Sequence, residues 1–289
     1  MARILVFTPT YDDLLQENTV KSIKAMRFDG QIEWVVSDEN PYPGRDMRNC
    51  VFQFQKGRRL ALDGGYDAIL LIEHDMVVPV DAAQKLWNTN AGVVYGCYQL
   101  RHGMRVVNLF QHMGTRNIGM SLSLYPRELQ EARRRGWTEV SGAGFGCLLI
   151  RREMLVQVPF RDTGNAPDLP FAQDCEKAGI MQIGRCDVVC GHIDTERGVT
   201  LWPFDKDGGM LARVLAQQDV NVNDAGKAVA MVKNRYYSIN LDTALELQRA
   251  GYVRVTNEAD VVEVAISTAA ESRETAAHMT GTRKRKVAQ

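Results

Sequence analysis

The segment Asp67-Ala-Ile-Leu-Leu-Ile-Glu73-His74-Asp75-Met-Val-Val-Pro79 does most to restrict the folds open to this chain. The apolar run from Ala68 to Ile72 reads as a buried strand. It ends abruptly in two carboxylates one residue apart. In an extended chain, residues i and i+2 point the same way, so Glu73 and Asp75 aim at one point. Two hard oxygen ligands at the mouth of a buried strand suit Mg²⁺ or Mn²⁺ carrying a phosphate. His74, between them, points away from the pair if the chain stays extended.

The surrounding pattern says what kind of sheet this strand belongs to. Ile4 to Phe7 reads as a short buried strand ending at Thr8-Pro9-Thr10, and apolar positions between Leu14 and Met26 predict a helix. Ile32 to Val36 is a second strand, ending at Ser37-Asp38. After the turn-rich Asn40-Pro-Tyr-Pro-Gly44, a helix from Asp46 to Leu62 stops at Gly64-Gly65. Beyond the carboxylates, Asp81 is the expected N-cap of another helix, and Val93 to Tyr98 is a further strand. This order predicts an α/β fold, a mostly parallel sheet with helices on both faces.

Residues 99 to 140 are less regular, punctuated by Gly103, Gly114 and Gly119, with a helix expected over Leu124 to Arg135. The glycine-rich Ser141-Gly-Ala-Gly-Phe-Gly146 precedes a strand from Cys147 to Ile150, and Arg151 to Val158 reads as a helix. Arg161 to Pro170 reads as a loop, Phe171 to Ala178 as a short helix closed by Gly179, and Cys186 to Cys190 as a strand leading into Gly191-His192. The expected organisation is a catalytic domain over residues 1–205 and a linker with a small α+β module over 206–262. A flexible basic tail, 263–289, ends Arg283-Lys-Arg-Lys286.

Bulk properties narrow the function classes. With 35 Lys and Arg against 35 Asp and Glu the formal charge is zero, so no overall field draws in nucleic acid and any anion site is local. No apolar run approaches the ~20 residues of a membrane span. Met1-Ala-Arg-Ile-Leu-Val-Phe is too soon followed by Pro9 for a secretory signal. Six cysteines without such a signal suggest reduced thiols and a cytoplasmic setting. Cys186-x-x-x-Cys190-x-His192 has the look of a zinc set, but a strand separates those thiols by roughly 13 Å.

Ligands of parallel α/β sheets bind outside the carboxyl ends of the strands. Thr8, Pro9, Thr10, Asp38 and the Glu73-His74-Asp75 triplet all fall at such ends. His192 follows a buried strand beside Gly191 and offers a third metal ligand from a separate segment. Asp174, on a short helix after a flexible loop, offers a base for an attacking hydroxyl. Arg45, Arg48 and Asn49 open the second helix, where free N–H groups favour a diphosphate. The run from Gly142 to Gly146 is no phosphate loop, because it precedes a strand and lacks the Lys-Ser/Thr ending; it reads as a place where an acceptor or sugar approaches the backbone.

Taken in order along the chain, these motifs resemble the nucleotide-sugar glycosyltransferases of the GT-A fold, over about residues 2 to 200. Ile4-Leu-Val-Phe-Thr-Pro-Thr10 resembles that family's first strand and donor-binding loop. Asp38 matches the acid that contacts the nucleobase or ribose, and Arg48-Asn49 the pair opening the next helix. Glu73-His74-Asp75 stands where the family has its Asp-x-Asp metal motif, and Gly142 to Arg152 resembles the segment beside the acceptor. Gln173-Asp174 stands where inverting members carry Glu-Asp, and His192 matches a late metal-binding histidine.

The resemblance implies a Rossmann-like nucleotide-binding half and a metal-dependent transfer of a sugar to an acceptor hydroxyl with inversion. Glu73, Asp75 and His192 would hold Mn²⁺ or Mg²⁺. Asp174 would be the base, and Thr8, Pro9, Thr10, Asp38, Arg45, Arg48 and His74 would contact the donor, with a UDP-sugar as the default. Protein, glycan, lipid and modified nucleic acid all remain open as acceptor. Two other readings fit the same residues: a nucleotidyltransferase acting on a sugar phosphate, and a non-catalytic module binding a sugar or a protein.

Overall fold

The computed structural model describes residues 1–11, 14–44, 46–101, 107–113, 119–121, 126–164, 166–196, 198–204, 211–224 and 227–255. Arg45, Gly103, Gly114 and the basic tail lie outside them. The chain divides into two compact units, 1–212 and 213–289.

The first unit begins with β1 (Arg3–Pro9), α1 (Glu17–Ala25), β2 (Gln31–Ser37), α2 (Met47–Asp63) and β3 (Ala68–Ile72). It continues through β4 (Met76–Val77), α3 (Ala82–Asn88), β5 (Val93–Cys97), β6 (Leu109–Met113), β7 (Gly119–Ser121) and α4 (Pro126–Arg135). Then come β8 (Trp137–Glu139), β9 (Gly142–Ala143), β10 (Cys147–Arg151), α5 (Arg152–Gln157), α6 (Asp168–Lys177), β11 (Gln182–Val189), β12 (Gly191–Asp194) and β13 (Val199–Leu201).

A seven-stranded sheet in the order β2-β1-β3-β10-β5-β11-β8 forms the centre of this unit. Strands β2, β1, β3, β5 and β11 run one way, and β10 and β8 oppose them. The sheet is therefore mixed α/β, with its parallel strands in the majority as the strand–helix alternation predicts. Two small sheets, β13-β12-β4 and β7-β6-β9, accompany it.

Both faces of the sheet are covered, as parallel strands require. Leu5, Phe7, Ile69, Leu71, Tyr95 and Leu148 enter one core layer. Their neighbours Ile4, Val6, Leu70, Ile72, Val94 and Leu149 enter the other. The two-residue alternation of strands thus sends successive apolar residues into opposite layers. It also parts the cysteines: Cys97 and Cys186 lie in the first layer, Cys147 and Cys190 in the second. Leu70 is wholly buried on the central strand. Leu70→Ala is expected to cost about 2–5 kcal/mol, read as a lower denaturant midpoint with an unchanged slope.

Local chemistry sets the helix that faces the candidate site. Asp46 caps α2, accepting from Arg48 N–H at 2.9 Å, and Gly65 turns the chain out of it with a φ of 67°. Gly57 lets α2 lie close on β1, since a Cβ there would come within 2.9 Å of the Phe7 ring. Asp81 does stand at the N-cap of α3, but its side chain makes no cap; it pairs instead with Lys85 at 2.9 Å.

The second unit contains β14 (Leu211–Ala216), β15 (Val220–Asp224), β16 (Lys227–Met231), β17 (Tyr236–Asn240), α7 (Leu241–Arg249) and β18 (Val253–Val255). It forms a β17-β14-β18 sheet and a β15-β16 hairpin. This is an α+β unit with more strands than the strand–helix–strand pattern predicted. The polar strand β15, Val-Asn-Val-Asn-Asp, carries too few apolar residues to announce itself. Among the described residues, no helix is long and apolar enough to cross a membrane.

Candidate functional site

The candidate site lies where β3, β5 and β11 end. Residues Glu73 to Met76 do not stay extended: they form a tight turn closed by Met76 N–H donating to Glu73 O at 3.2 Å. Three more backbone bonds fix this turn. Glu73 N–H donates to Gly146 O at 3.2 Å, Gln16 N–H to His74 O at 3.0 Å, and Ile193 N–H to Asp75 O at 2.8 Å. The last joins the turn to β12, whose His192 pairs with Met76 across the β4–β12 ladder. Sheet pairing is thus what brings the distant His192 to the carboxylate turn.

The Asp75 side chain is wholly buried. Around Asp75 Oδ2 stand His192 Nε2 at 3.7 Å, His74 Nε2 at 3.8 Å and Arg101 Nη2 at 2.7 Å. Burial alone would raise the Asp75 pKa, but His192, His74 and Arg101 together outweigh it and hold the carboxyl below its ordinary value. Asp75 Oδ1, Asp75 Oδ2 and His192 Nε2 nonetheless have no directed hydrogen bond. His192 Nδ1 lies 2.8 Å from Gln99 O. A carbonyl accepts only, so Nδ1 carries a proton and donates; the tautomer with that proton alone would turn the lone pair of Nε2 toward Asp75.

Two buried acceptors facing each other fit a shared cation, with the backbone bond at Nδ1 orienting the imidazole as in metal sites. Among the described residues, no group of three or more His, Cys, Asp or Glu side chains is arranged to hold an ion. A cation placed here would have the Asp75–His192 pair as its protein ligands, leaving further positions to phosphate oxygens and water, as suits Mg²⁺-type ions. Glu73 is adjacent but differs in kind. Burial first, then the charges of Asp75 and Asp168, push its pKa up to about 7 against the opposing pull of His192 and Arg101. His74 lies against Pro9 and Asp75, and burial lowers its pKa.

The donor-side residues fall at the ends of β1 and β2. Thr8 is buried and its Oγ1 accepts from Trp34 Nε1 at 3.1 Å, so it braces β1 against β2. Thr10 O accepts from Gln53 Nε2 at 2.8 Å and Asn40 Nδ2 at 3.2 Å. Thr10 Oγ1, Ser37 Oγ and Gln53 Oε1 are buried without hydrogen-bond partners. Gln53 and Asn40 are additions to the expected residues; a polar residue on the buried stripe of α2 was the only signal for Gln53. Asp38 is exposed, its carbonyl accepting from Asn40 Nδ2 at 2.8 Å. Arg48 is held by Asp46 at 2.6 Å and lies over the Tyr42 ring at 4.3 Å. Asn49 is buried and ties the preceding loop, bonding Tyr42 and Gly44.

One expectation is corrected here. The glycine run does not leave open backbone for a ligand. A Cβ on Gly144 would meet Tyr98 Oη at 2.3 Å, and one on Gly146 the Tyr98 ring at 2.8 Å. These glycines accommodate the buried Tyr98 phenol, which accepts from Gly146 N–H at 3.2 Å and meets the His192 ring edge-on at 5.3 Å.

Asp174, the expected base, is already paired. Its carboxylate is clasped by Arg161, with Oδ1 at 2.9 Å from Nη2, and Lys177 stands 3.7 Å away. Its charge is felt by Arg161 and Cys175. The carboxylate that faces the site is Asp168, at the start of α6. Its Oδ2 lies 3.8 Å from where a Gly144 Cβ would stand, and its charge raises Glu73, Tyr98 and Cys50. Six residues along a helix amount to ~9 Å of rise and ~120° of rotation, so the two acids cannot share a task. Asp168 is enclosed by protein, which raises its pKa, while surface still reaches it.

No protein-family model and no curated protein matches the chain. Structural neighbours include A197 from STIV, at 19% identity and a TM-score of 0.46, covering 70% of this chain and 95% of that one. The catalytic domain of Drosophila beta1,4galactosyltransferase 7, in complex with xylobiose, is similar at 12% identity and a TM-score of 0.43, over 83% and 94%. S. aureus TarS 1-349 is similar at 14% and 0.38, over 64% and 58%. At these identities and TM-scores, nothing about activity follows from the likenesses.

Proposed function

We propose that this chain is a metal-dependent glycosyltransferase that moves a sugar from a nucleotide-sugar donor to an acceptor hydroxyl with inversion. The observation that carries this reading is the buried Asp75 carboxylate 3.7 Å from His192 Nε2, with neither side in a hydrogen bond, at the carboxyl ends of parallel strands where such folds bind nucleotides. When bound there, Mn²⁺ or Mg²⁺ supplies Lewis-acid stabilisation of the charge that grows on the leaving diphosphate.

The chain's own residues do the rest. Gln99 O holds the His192 tautomer. Thr10, Ser37, Asn40 and Gln53 present polar atoms to the nucleoside side of the donor. Asp168, in place of Asp174, accepts the proton of the acceptor hydroxyl as that oxygen attacks the anomeric carbon from the face opposite the leaving group. A carboxylate whose pKa is raised by burial is a better proton acceptor than a solvated one, because efficiency rises as the pKa nears the working pH. The transition state carries oxocarbenium character, as in other glycosyl chemistry.

A thermal unfolding screen of nucleotide sugars, with and without Mn²⁺, tests this directly. The true donor at 100 times its dissociation constant adds ~2.7 kcal/mol, and UDP-sugars are the first to try. The stabilisation is expected only with the metal present. If no nucleotide sugar shifts the midpoint in Mn²⁺, the donor reading is wrong. Release of a nucleoside diphosphate, with no pyrophosphate, separates transfer of a sugar from transfer of a nucleotidyl group.

A further inference from the structure

Asp75 already faces a cation of the protein's own. Arg101 Nη2 lies 2.7 Å from Asp75 Oδ2, and the Arg101 side chain is 32% exposed. The contact differs from other arginine–carboxylate pairs among the described residues. Arg185 reaches both oxygens of Asp187 at 2.7 Å, and Arg161 likewise engages both oxygens of Asp174. Those are the two-pronged arrangements that give such pairs strength and direction. Arg101 makes one close approach, and neither Asp75 oxygen receives a directed hydrogen bond. The pair is held by charge alone, so the guanidinium can withdraw toward solvent without breaking an aligned bond.

Position adds a second observation. Arg101 lies two residues beyond Gln99, whose carbonyl fixes the His192 ring. One short segment therefore orients the nitrogen of the candidate cation site and delivers a positive charge to its carboxylate. A guanidinium against that oxygen opposes a divalent ion on the same carboxylate, because like charges at close range repel in a buried setting.

We infer that Arg101 is a displaceable counter-cation that competes with the divalent metal for Asp75 and makes metal affinity depend on the donor. Without a diphosphate, Arg101 neutralises Asp75 and metal binding is weak. When the donor arrives, its phosphates offer Arg101 another anionic partner, and Asp75 is released to the metal. Metal and donor thereby strengthen each other's binding, as reciprocal coupling requires. The inference rests on reading Asp75 and His192 as cation ligands.

The test titrates Mn²⁺ alone, with free ion followed by electron paramagnetic resonance, into the full chain and two variants. Arg101→Gln is expected to bind Mn²⁺ about tenfold or more tightly than the parent, within the usual range of coupling. Arg101→Lys, which keeps a charge, is expected to stay within about threefold of the parent. Arg101→Gln binding no more tightly than a parent that does bind overturns the inference alone. If parent and both variants bind no Mn²⁺, the inference falls together with the metal reading. Tighter binding by Arg101→Gln upholds it, even where no nucleotide sugar stabilises the protein and the donor reading fails separately.

Discussion

Asp168→Asn is expected to lower sugar transfer by about 10²–10⁴-fold while donor binding survives, because that is the usual worth of a positioned base. Asp174→Asn is expected to leave transfer within about threefold of the parent, the range of a surface change away from the chemistry. The contrast follows from placement: Asp168 acts electrostatically on Glu73 and Tyr98, whereas Asp174 is neutralised by Arg161.

Burial raises the Asp168 pKa, so the acid limb of the kcat/KM profile should lie above the ordinary carboxylate value, with activity lost as pH falls through it. The stability effect has the opposite sense. A carboxyl whose folded pKa is raised contributes stability below its unfolded pKa, and that contribution is lost as pH rises through the folded one. Asp168→Asn mimics the neutral form, so its unfolding midpoint at pH 7 should equal or exceed that of the parent. Single-turnover transfer and thermal unfolding on the same preparations give both numbers. Full transfer by Asp168→Asn would remove Asp168 as the base.

The sheet was legible because its determinants are local and strong. Unbroken apolar runs at Ala68–Ile72 and Val93–Cys97, alternating with helices, leave few alternatives to an α/β fold. The pairing of β12 with β4, which carries His192 to Asp75, depends on long-range register and has no sequence signature. Asp168 was missed for a physical reason that can be named. Pro167 and Pro170 made the stretch read as loop up to Phe171, but proline is tolerated in a helix's first turn, where its missing N–H has no partner to lose. The helix begins at Asp168, and the earlier start exchanges one candidate acid for another. The glycine run misled in a similar way. Its glycines answer a neighbouring tyrosine 48 residues away from Gly146, a demand that no local pattern reveals.

Asp75→Ala should abolish metal-dependent donor binding and slow transfer by about 10³-fold or more, since Lewis-acid stabilisation at a leaving diphosphate is worth several kcal/mol. The size of the effect comes from burial. Asp75 is wholly enclosed, and in a water-poor setting each charge interaction is stronger than at the surface. His192 alone, an imidazole without a carboxylate beside it, cannot hold a hard divalent ion against its hydration. The loss should therefore exceed that of His192→Gln, which leaves the carboxylate in place. Glu73→Gln should be milder still, because a side chain with a pKa near 7 is not fully charged at neutral pH in the protein alone. Mn²⁺-dependent thermal stabilisation by the donor, measured across the three variants, ranks them independently of turnover. A ranking with Glu73→Gln most damaging would move the cation from the Asp75–His192 pair to the Glu73 side of the turn. Unchanged donor binding by Asp75→Ala, or by the parent protein in chelator, would exclude a metal from the donor site.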